Sequence, residues 1–226
     1  MLKFYFNGSP NPSKVALFLE EAGLPYEPIP VDVRRGEQFK PELVALNPNA
    51  KVPVLVDGEV QVFDSNAILL YLAEKTGKFL PPADAVHRGQ LLSWLMFIAS
   101  GIGPYSGQAV HFRNFAPKGN DYSHERYQFE ARRHFGILND RLNTRTWLVG
   151  DTYGIVDMAA WGWARVIPFA MGDDAWGPWP HLKRWFDAIS ARPAALRAAQ
   201  LKDRFAFKTE MDEDARRNMF RHVQRP

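Results

Sequence analysis

The sequence predicts a two-part fold: a mixed α/β domain over residues 1–80, then an all-helical domain over residues 86–226 that ends in a charged tail. Three observations carry this reading. Strand patterns occur only in the first 63 residues. After about residue 85 every segment repeats its apolar residues at helical spacing. Between them lies Pro81-Pro82, a natural linker because neither helix nor sheet readily continues through paired prolines.

The first element, "LKFYF", alternates Leu2, Phe4 and Phe6 on one face and runs into "NGSPNP", a turn-forming stretch from Asn7 to Pro12. A helix follows in "SKVALFLEEAG", where Val15, Phe18, Leu19 and Ala22 fall at i, i+3, i+4 and i+7. Gly23 stops it and Pro25 prevents its return. "YEPIPVD" is extended, and Pro28 and Pro30 place it at a sheet edge because proline cannot donate to a ladder. "VPVLVDGEVQVF" reads as a hairpin around Asp57-Gly58. "DSNAILLYLAEKTG" is a helix opened by Asp64-Ser65 and stopped by Gly77. In the second half, "HRGQLLSWLMFIASGIG", "HERYQFEARRHFGILNDRLN", "VDMAAWGWARVIPFAM" and "HLKRWFDAISARP" form a helical bundle. The tail after Pro193 is charged and mixed, open to reading as a surface helix, a partly disordered end or an arm on a partner subunit, with a slight preference for the arm.

Composition narrows the chemistry. With 46% hydrophobic and 23% charged residues in 226, the chain can bury a substantial core. A net charge of +3 is too mild to predict nucleic-acid binding. No apolar run reaches the roughly 18 residues of a membrane span, and the start shows no secretory signal, so no membrane partner and a cytoplasmic address are expected. Cysteine is absent, which excludes disulfides, thiolate metal sites and a CxxC redox centre. Any thiol chemistry must use a thiol that arrives with a ligand. The histidines show no metal-ligand spacing, and no metal is expected.

The order βαβ then ββα, followed by a helical domain, resembles the glutathione transferase superfamily, whose first domain has the thioredoxin-like fold. "NAKVPVLV", "FDSNAILLYLAEKTG" and "GIVDMAAW" resemble its proline segment, its acidic-Ser helix opening and its capping box. With "SPNPSKVALFLEEAGLPYE" and "GPYSGQAVHFRNFAP…ERYQFE", the pattern is most similar to the bacterial Nu class of glutathione-dependent disulfide-bond oxidoreductases.

That resemblance implies a site. Val52–Pro53 would be cis, and the Val52 backbone would pair with the cysteinyl backbone of glutathione as a short strand addition. Ser65 would donate to the γ-glutamyl carboxylate and Asp64 accept from its ammonium, while the pair also serves as a plain helix cap. Asp64 is one methylene shorter than the family's usual Glu. Ser9 and Asn11, expected just before the first helix, would donate to a thiolate and lower the thiol pKa; the same residue types also satisfy ordinary turn chemistry. Tyr5 lies within the strand and is read as packed or solvent-facing. Gln38 would bond the glycyl carboxylate or the backbone of glutathione, Lys51 would add positive charge, and Arg126 would reach a glutathione across a homodimer, unless it only pairs with Glu130. Arg133 is its fallback. The glycine-rich "SGIGPYSGQAVHF" suggests a helix break beside a cleft, with Tyr105, Gln108 and Phe112 at a second-substrate site and the Trp161–Trp176 region as a wall. Core packing explains those aromatics equally well. Gly154 stands where the family carries a capping hydroxyl, so Asp157 would keep half of that box.

The expected activity is glutathione-dependent disulfide reduction, with glutathione as co-substrate, either two reduced molecules or one oxidised. Conjugation to electrophiles and a non-enzymatic binding role on the same fold are the alternatives.

Overall fold

The computed structural model describes residues 1–224. The chain forms two compact units, Met1–Leu69 together with the segment from Pro193 onward, and Leu70–Arg192.

The first unit is built on a four-stranded sheet in the order β2-β1-β3-β4, with β1 Leu2–Phe6, β2 Tyr26–Pro30, β3 Val54–Asp57 and β4 Val60–Phe63. β1 pairs parallel to β2 (Phe4 opposite Pro28) and antiparallel to β3 (Phe4 opposite Leu55), and β3 pairs antiparallel to β4 (Leu55 opposite Val62). The proline-bearing β2 is at the edge, as a strand with missing N–H donors must be. The hairpin differs slightly from expectation. Asp57 is still a ladder residue paired with Val60, so the two-residue loop is Gly58-Glu59, with Gly58 at φ 63° in its first position.

Helix α1, Pro10–Ala22, begins three residues earlier than its apolar period suggests. Pro10 and Pro12 fit because the first-turn N–H groups have no intrahelical acceptor. Asn11 is therefore inside the first turn of α1, not before it as expected, and Ser9 is the N-cap residue. Helix α2, Pro41–Leu46, precedes β3, and α3, Ser65–Thr76, follows β4 and carries the chain from the first unit into the second.

The segment after Pro193 lies on its own chain's first unit. Phe205 and Phe207 pack edge-on against Phe6 of the central strand, at 5.4 and 6.0 Å between ring centres. Lys208 N–H donates to Asp32 at 2.7 Å, and Arg34 returns donors to the Lys208 and Thr209 carbonyls. These partners are more than 170 positions apart in sequence, so periodicity could not pair them.

The second unit contains α4 Ala85–Phe97, α5 Gly103–Asn114, α6 Asp121–Leu142, α7 Ile155–Ala164, α8 Ile167–Met171 and α9 Pro180–Ser190; the first unit regains two helices afterwards, α10 Pro193–Gln200 and α11 Glu213–Met219. The expected break in "SGIGPY" is a π-helical turn, Ile98–Ile102, that joins α4 directly to α5. Its last bond, Gly103 N–H to Ile98 C=O, closes just before Pro104, which has no N–H to offer. Gly101 is required there by close approach, since a Cβ would lie 2.5 Å from the His134 ring.

Asp157 is the polar hub of this unit. It is buried and accepts from Leu148 N–H (3.0 Å), Gly154 N–H (3.1 Å) and Trp185 Nε1 (2.8 Å). Half of the capping box is therefore present. The hydroxyl half is missing because a Cβ on Gly154 would sit 2.9 Å from the Phe79 carbonyl, which itself accepts from Ile155 N–H. Trp161 is a buried core residue whose Nε1 donates to Ser190, not the cleft wall expected of it.

Asp157→Ala, which strands three donors, is expected to cost about 3 kcal/mol or more of unfolding free energy in a denaturant titration. Gly154→Ser is expected to lower the melting temperature although it restores a capping hydroxyl. A higher melting temperature would show that Phe79 yields easily.

Candidate glutathione site

The N-terminal turns of α1 and α3 are joined by side chains. Lys14, on the second turn of α1, is fully buried, and its Nζ donates to Ser65 Oγ at 3.2 Å and to Asn66 Oδ1 at 3.5 Å. Ser65 Oγ donates in turn to Asn11 Oδ1 at 3.4 Å. The expected residues Asn11 and Ser65, 54 positions apart, thus meet directly, beside a lysine that pattern reading passes over. A signal was present: Lys14 precedes Leu17 and Phe18 at i+3 and i+4, on the apolar side of a helix.

Burial pushes the Lys14 ammonium down to about 7, and the Asp64 carboxylate opposes this only in part. Asp64 is the cap of α3. Its Oδ1 accepts from Asn66 N–H (2.8 Å) and Ala67 N–H (3.2 Å), and its backbone is left-handed, φ 70°. Two helix N-termini therefore lie side by side, and both favour negative charge.

Ser9 is held differently. Its N–H and hydroxyl both donate to Asn7 Oδ1, at 3.0 and 2.6 Å, so the Asn7 side chain shapes the turn and takes the Ser9 proton. Asn11 Nδ2 makes no hydrogen bond among the described residues, which leaves it the better placed donor of the two. Tyr5 packs against the Val31, Leu43 and Val54 cluster.

Val52–Pro53 is cis. The preceding loop is organised by Asn47, buried, whose Nδ2 donates to the Lys51 carbonyl and whose Oδ1 accepts from Asn49 N–H. The Val52 side chain packs on the Val31, Leu43 and Val54 cluster, while Lys51 is exposed. Gln38 is not a solvated loop side chain. It is 5% exposed, its Nε2 donates to the Asn218 carbonyl in α11, and its Oε1 is buried without a hydrogen-bond partner. Asn218 also donates to the Arg34 carbonyl, a role nothing in the tail's charge pattern announces.

The remaining predicted residues belong to the second unit. Tyr105 sits against the His134 ring (4.9 Å) and Phe112 stacks on Tyr127 (5.2 Å), with Tyr105 and Tyr127 6.4 Å apart; Gln108 is exposed on the same helix, α5. Arg126 pairs with Glu130 at 3.0 Å, and Arg133 approaches the same carboxylate at 2.9 Å. The Glu130 carboxyl is held low by these arginines, which outweigh its desolvation. Among the described residues no helix is long and apolar enough to cross a membrane, and no group of three His, Asp or Glu is placed to hold a metal ion.

Residues 1–74 match the Glutathione S-transferase, N-terminal domain family, and residues 106–193 the Glutathione S-transferase, C-terminal domain family. The chain belongs to the glutathione S-transferase family. It is 44% identical over 213 residues to the disulfide-bond oxidoreductase YfcG of Escherichia coli, covering 90% of this chain and 98% of that protein. A Burkholderia graminis glutathione transferase, solved with two glutathione molecules bound per subunit, superposes with a TM-score of 0.83 at 39% identity over 90% of this chain and 89% of that one. A Pseudomonas putida glutathione transferase, solved with one glutathione disulfide per subunit, also reaches 0.83, at 34% identity over 88% and 91% of the two chains.

Lys14 makes stability depend on pH. The unfolded lysine titrates near 10.5 and the folded one near 7, so between these values the unfolded state binds more protons and stability rises with pH. From pH 7 to 9 the gain is expected to be about 2 kcal/mol in denaturant titrations, and Lys14→Met is expected to abolish it. An equal gain in that variant would show that Lys14 is not its source.

Proposed function

We propose that this enzyme reduces disulfide bonds with glutathione. The observation that carries the reading is the Asn11–Ser65–Lys14 chain across two adjacent helix N-termini, in a protein with no cysteine of its own. Such a site can hold a tripeptide with an anionic end and a thiolate, but supplies no redox sulfur. The likeness to YfcG and to structures holding two glutathiones or one glutathione disulfide supports the same chemistry and a place in the Nu class.

In the proposed mechanism a glutathione thiolate, stabilised by Asn11 Nδ2, attacks one sulfur of the substrate disulfide. A glutathione–substrate disulfide forms and the other sulfur leaves as a thiolate, which takes up a proton. A second glutathione thiolate attacks the glutathione sulfur of that mixed disulfide, giving oxidised glutathione and the second substrate thiol. Two glutathiones are oxidised by two electrons and one disulfide is reduced. The protein contributes a lowered thiol pKa and alignment of the sulfurs.

The other roles follow chemically. Val52, beside Pro53, offers its backbone to the cysteinyl residue; Ser65 and Asp64 receive the γ-glutamyl end; Lys51 adds positive charge; Ser9 helps Asn11 after releasing Asn7. Gln38 bonds the glycyl carboxylate or the backbone of glutathione once its Nε2 leaves the Asn218 carbonyl. Arg126 reaches glutathione in a homodimer by sharing or leaving Glu130. Tyr105, Gln108 and Phe112 receive the second substrate, and the protein works in the cytoplasm. The Tyr105–Tyr127–Phe112 row is the one observation favouring a second reading, conjugation of glutathione to a planar electrophile.

Two assays on one preparation decide between them: reduction of a small disulfide coupled to glutathione reductase, and conjugation of a chloronitrobenzene. Reduction is expected to dominate, and dominant conjugation would overturn the proposal. Asn11→Ala is expected to lower turnover about 100-fold, as loss of a donor to a developing anion does, with a much smaller change in glutathione affinity. Unchanged turnover would remove Asn11 from the mechanism.

A further inference from the structure

We infer that Lys14 is a positioning residue that fixes the Asn11 amide through the Ser65 hydroxyl, so that Asn11 Nδ2 is presented to the sulfur of a bound thiol. This rests on the glutathione reading above, but its own logic is local. Lys14 Nζ donates to Ser65 Oγ, and in its ammonium form, present below its pKa of about 7, it has no lone pair with which to accept in return. The single Ser65 proton then points onward to Asn11 Oδ1. An amide that accepts on its oxygen from one side carries its two N–H donors on the other. Lys14 and Ser65 thereby select one of the two flip states of Asn11, the one in which the group turned away from Ser65 donates.

The burial of Lys14 is what makes the selection strong. A lysine at this position of an exposed helix would extend into water and orient nothing. Here Nζ is enclosed and meets Ser65 Oγ and Asn66 Oδ1, with the Asp64 carboxylate the charge that acts on it. Buried polar networks are directional because every donor must find an acceptor, and a reversed Asn11 would set its N–H₂ against a hydroxyl whose proton already points the same way. The relay commits the Ser65 proton to Asn11, so Ser65 meets a γ-glutamyl carboxylate through its backbone N–H at the opening of α3.

The test uses the whole protein, with Lys14→Met to remove the donor and Ser65→Ala to remove the middle link. Lys14→Met keeps the volume but leaves Ser65 Oγ and Asn66 Oδ1 without this donor, so the fold of each variant is checked first by thermal melting. The first readout needs no ligand: the Asn11 side-chain amide signal by ¹⁵N NMR, assigned by its loss in Asn11→Asp. It is expected to be a single sharp pair in wild type and broadened or doubled in both variants. The second is thiolate absorbance of bound glutathione, where each variant is expected to hold about tenfold less thiolate at neutral pH and to recover at alkaline pH. A purely structural role would not move that pH profile. The double variant is expected to be no worse than the stronger single, because both changes cut one chain.

An Asn11 signal and thiolate content unchanged in Lys14→Met would overturn the inference, and so would effects that multiply in the double variant. A wild type that binds glutathione as thiolate, shows these losses and yet reduces no disulfide would sink the disulfide reading and leave the relay standing. A wild type that takes up no glutathione would overturn both.

Discussion

The first unit is organised around a cation it has taken out of water. Removing an ammonium from solvent costs several kcal/mol unless good acceptors replace the lost hydration, and the positive end of a helix beside it adds to the cost. Lys14 meets both penalties at the opening of α3. Asp64, Ser65 and Asn66 supply the offsetting charge and oxygens, and they can do so only if β4 turns into α3 with Asp64 left-handed. The relation of α1 to α3 is therefore set by a polar requirement as well as by apolar packing, and the same requirement brings Asn11 against Ser65.

The sheet supplies the rest. β1 is central, flanked by β2 and β3, with Phe4 and Phe6 stacked and buried on one face. The chain leaves its C-terminal end through a turn locked by Asn7 and enters α1 at once, so residues 9–11 are positioned by a strand paired on both sides. The Val52–Pro53 segment is held from the other side by Asn47 and by the packing of Val52 on Val31, Leu43 and Val54. The C-terminal segment then closes over Phe6, Asp32 and Gln38 through aromatic packing and backbone hydrogen bonds. The candidate residues sit on helix first turns and loops, and these are fastened by the Asn7 and Asn47 side chains and by aromatic contacts.

The helical unit has its own constraints. Asp157 gathers three N–H donors that would otherwise be buried without partners, and Gly154 is small because the Phe79 carbonyl occupies the space of a side chain. The π-helical turn at residues 98–102 lets one continuous helical run pass Pro104 and bring Tyr105 beside His134. Local sequence rules are obeyed there by a change of helix type instead of a break.

The sequence by itself determined the βαβ–ββα order, the edge position of a strand carrying Pro28 and Pro30, the helical second half, and the candidacy of Asn11, Pro53 and Ser65. The first three depend on apolar period and on proline's missing N–H, readable within a dozen residues, whereas the three candidate residues depend on the resemblance to the glutathione transferase superfamily. Tertiary structure alone decided that Lys14 is buried, that Ser9 gives its proton to Asn7, that Gln38 is covered by α11, and that Trp161 belongs to the core. It also moved the start of α1 to Pro10, where prolines cost nothing because first-turn amides have no acceptor. The physical reason is the same in each case: burial and hydrogen-bond partnership are properties of pairs, and Lys14–Ser65 and Gln38–Asn218 are pairs separated by 51 and 180 positions.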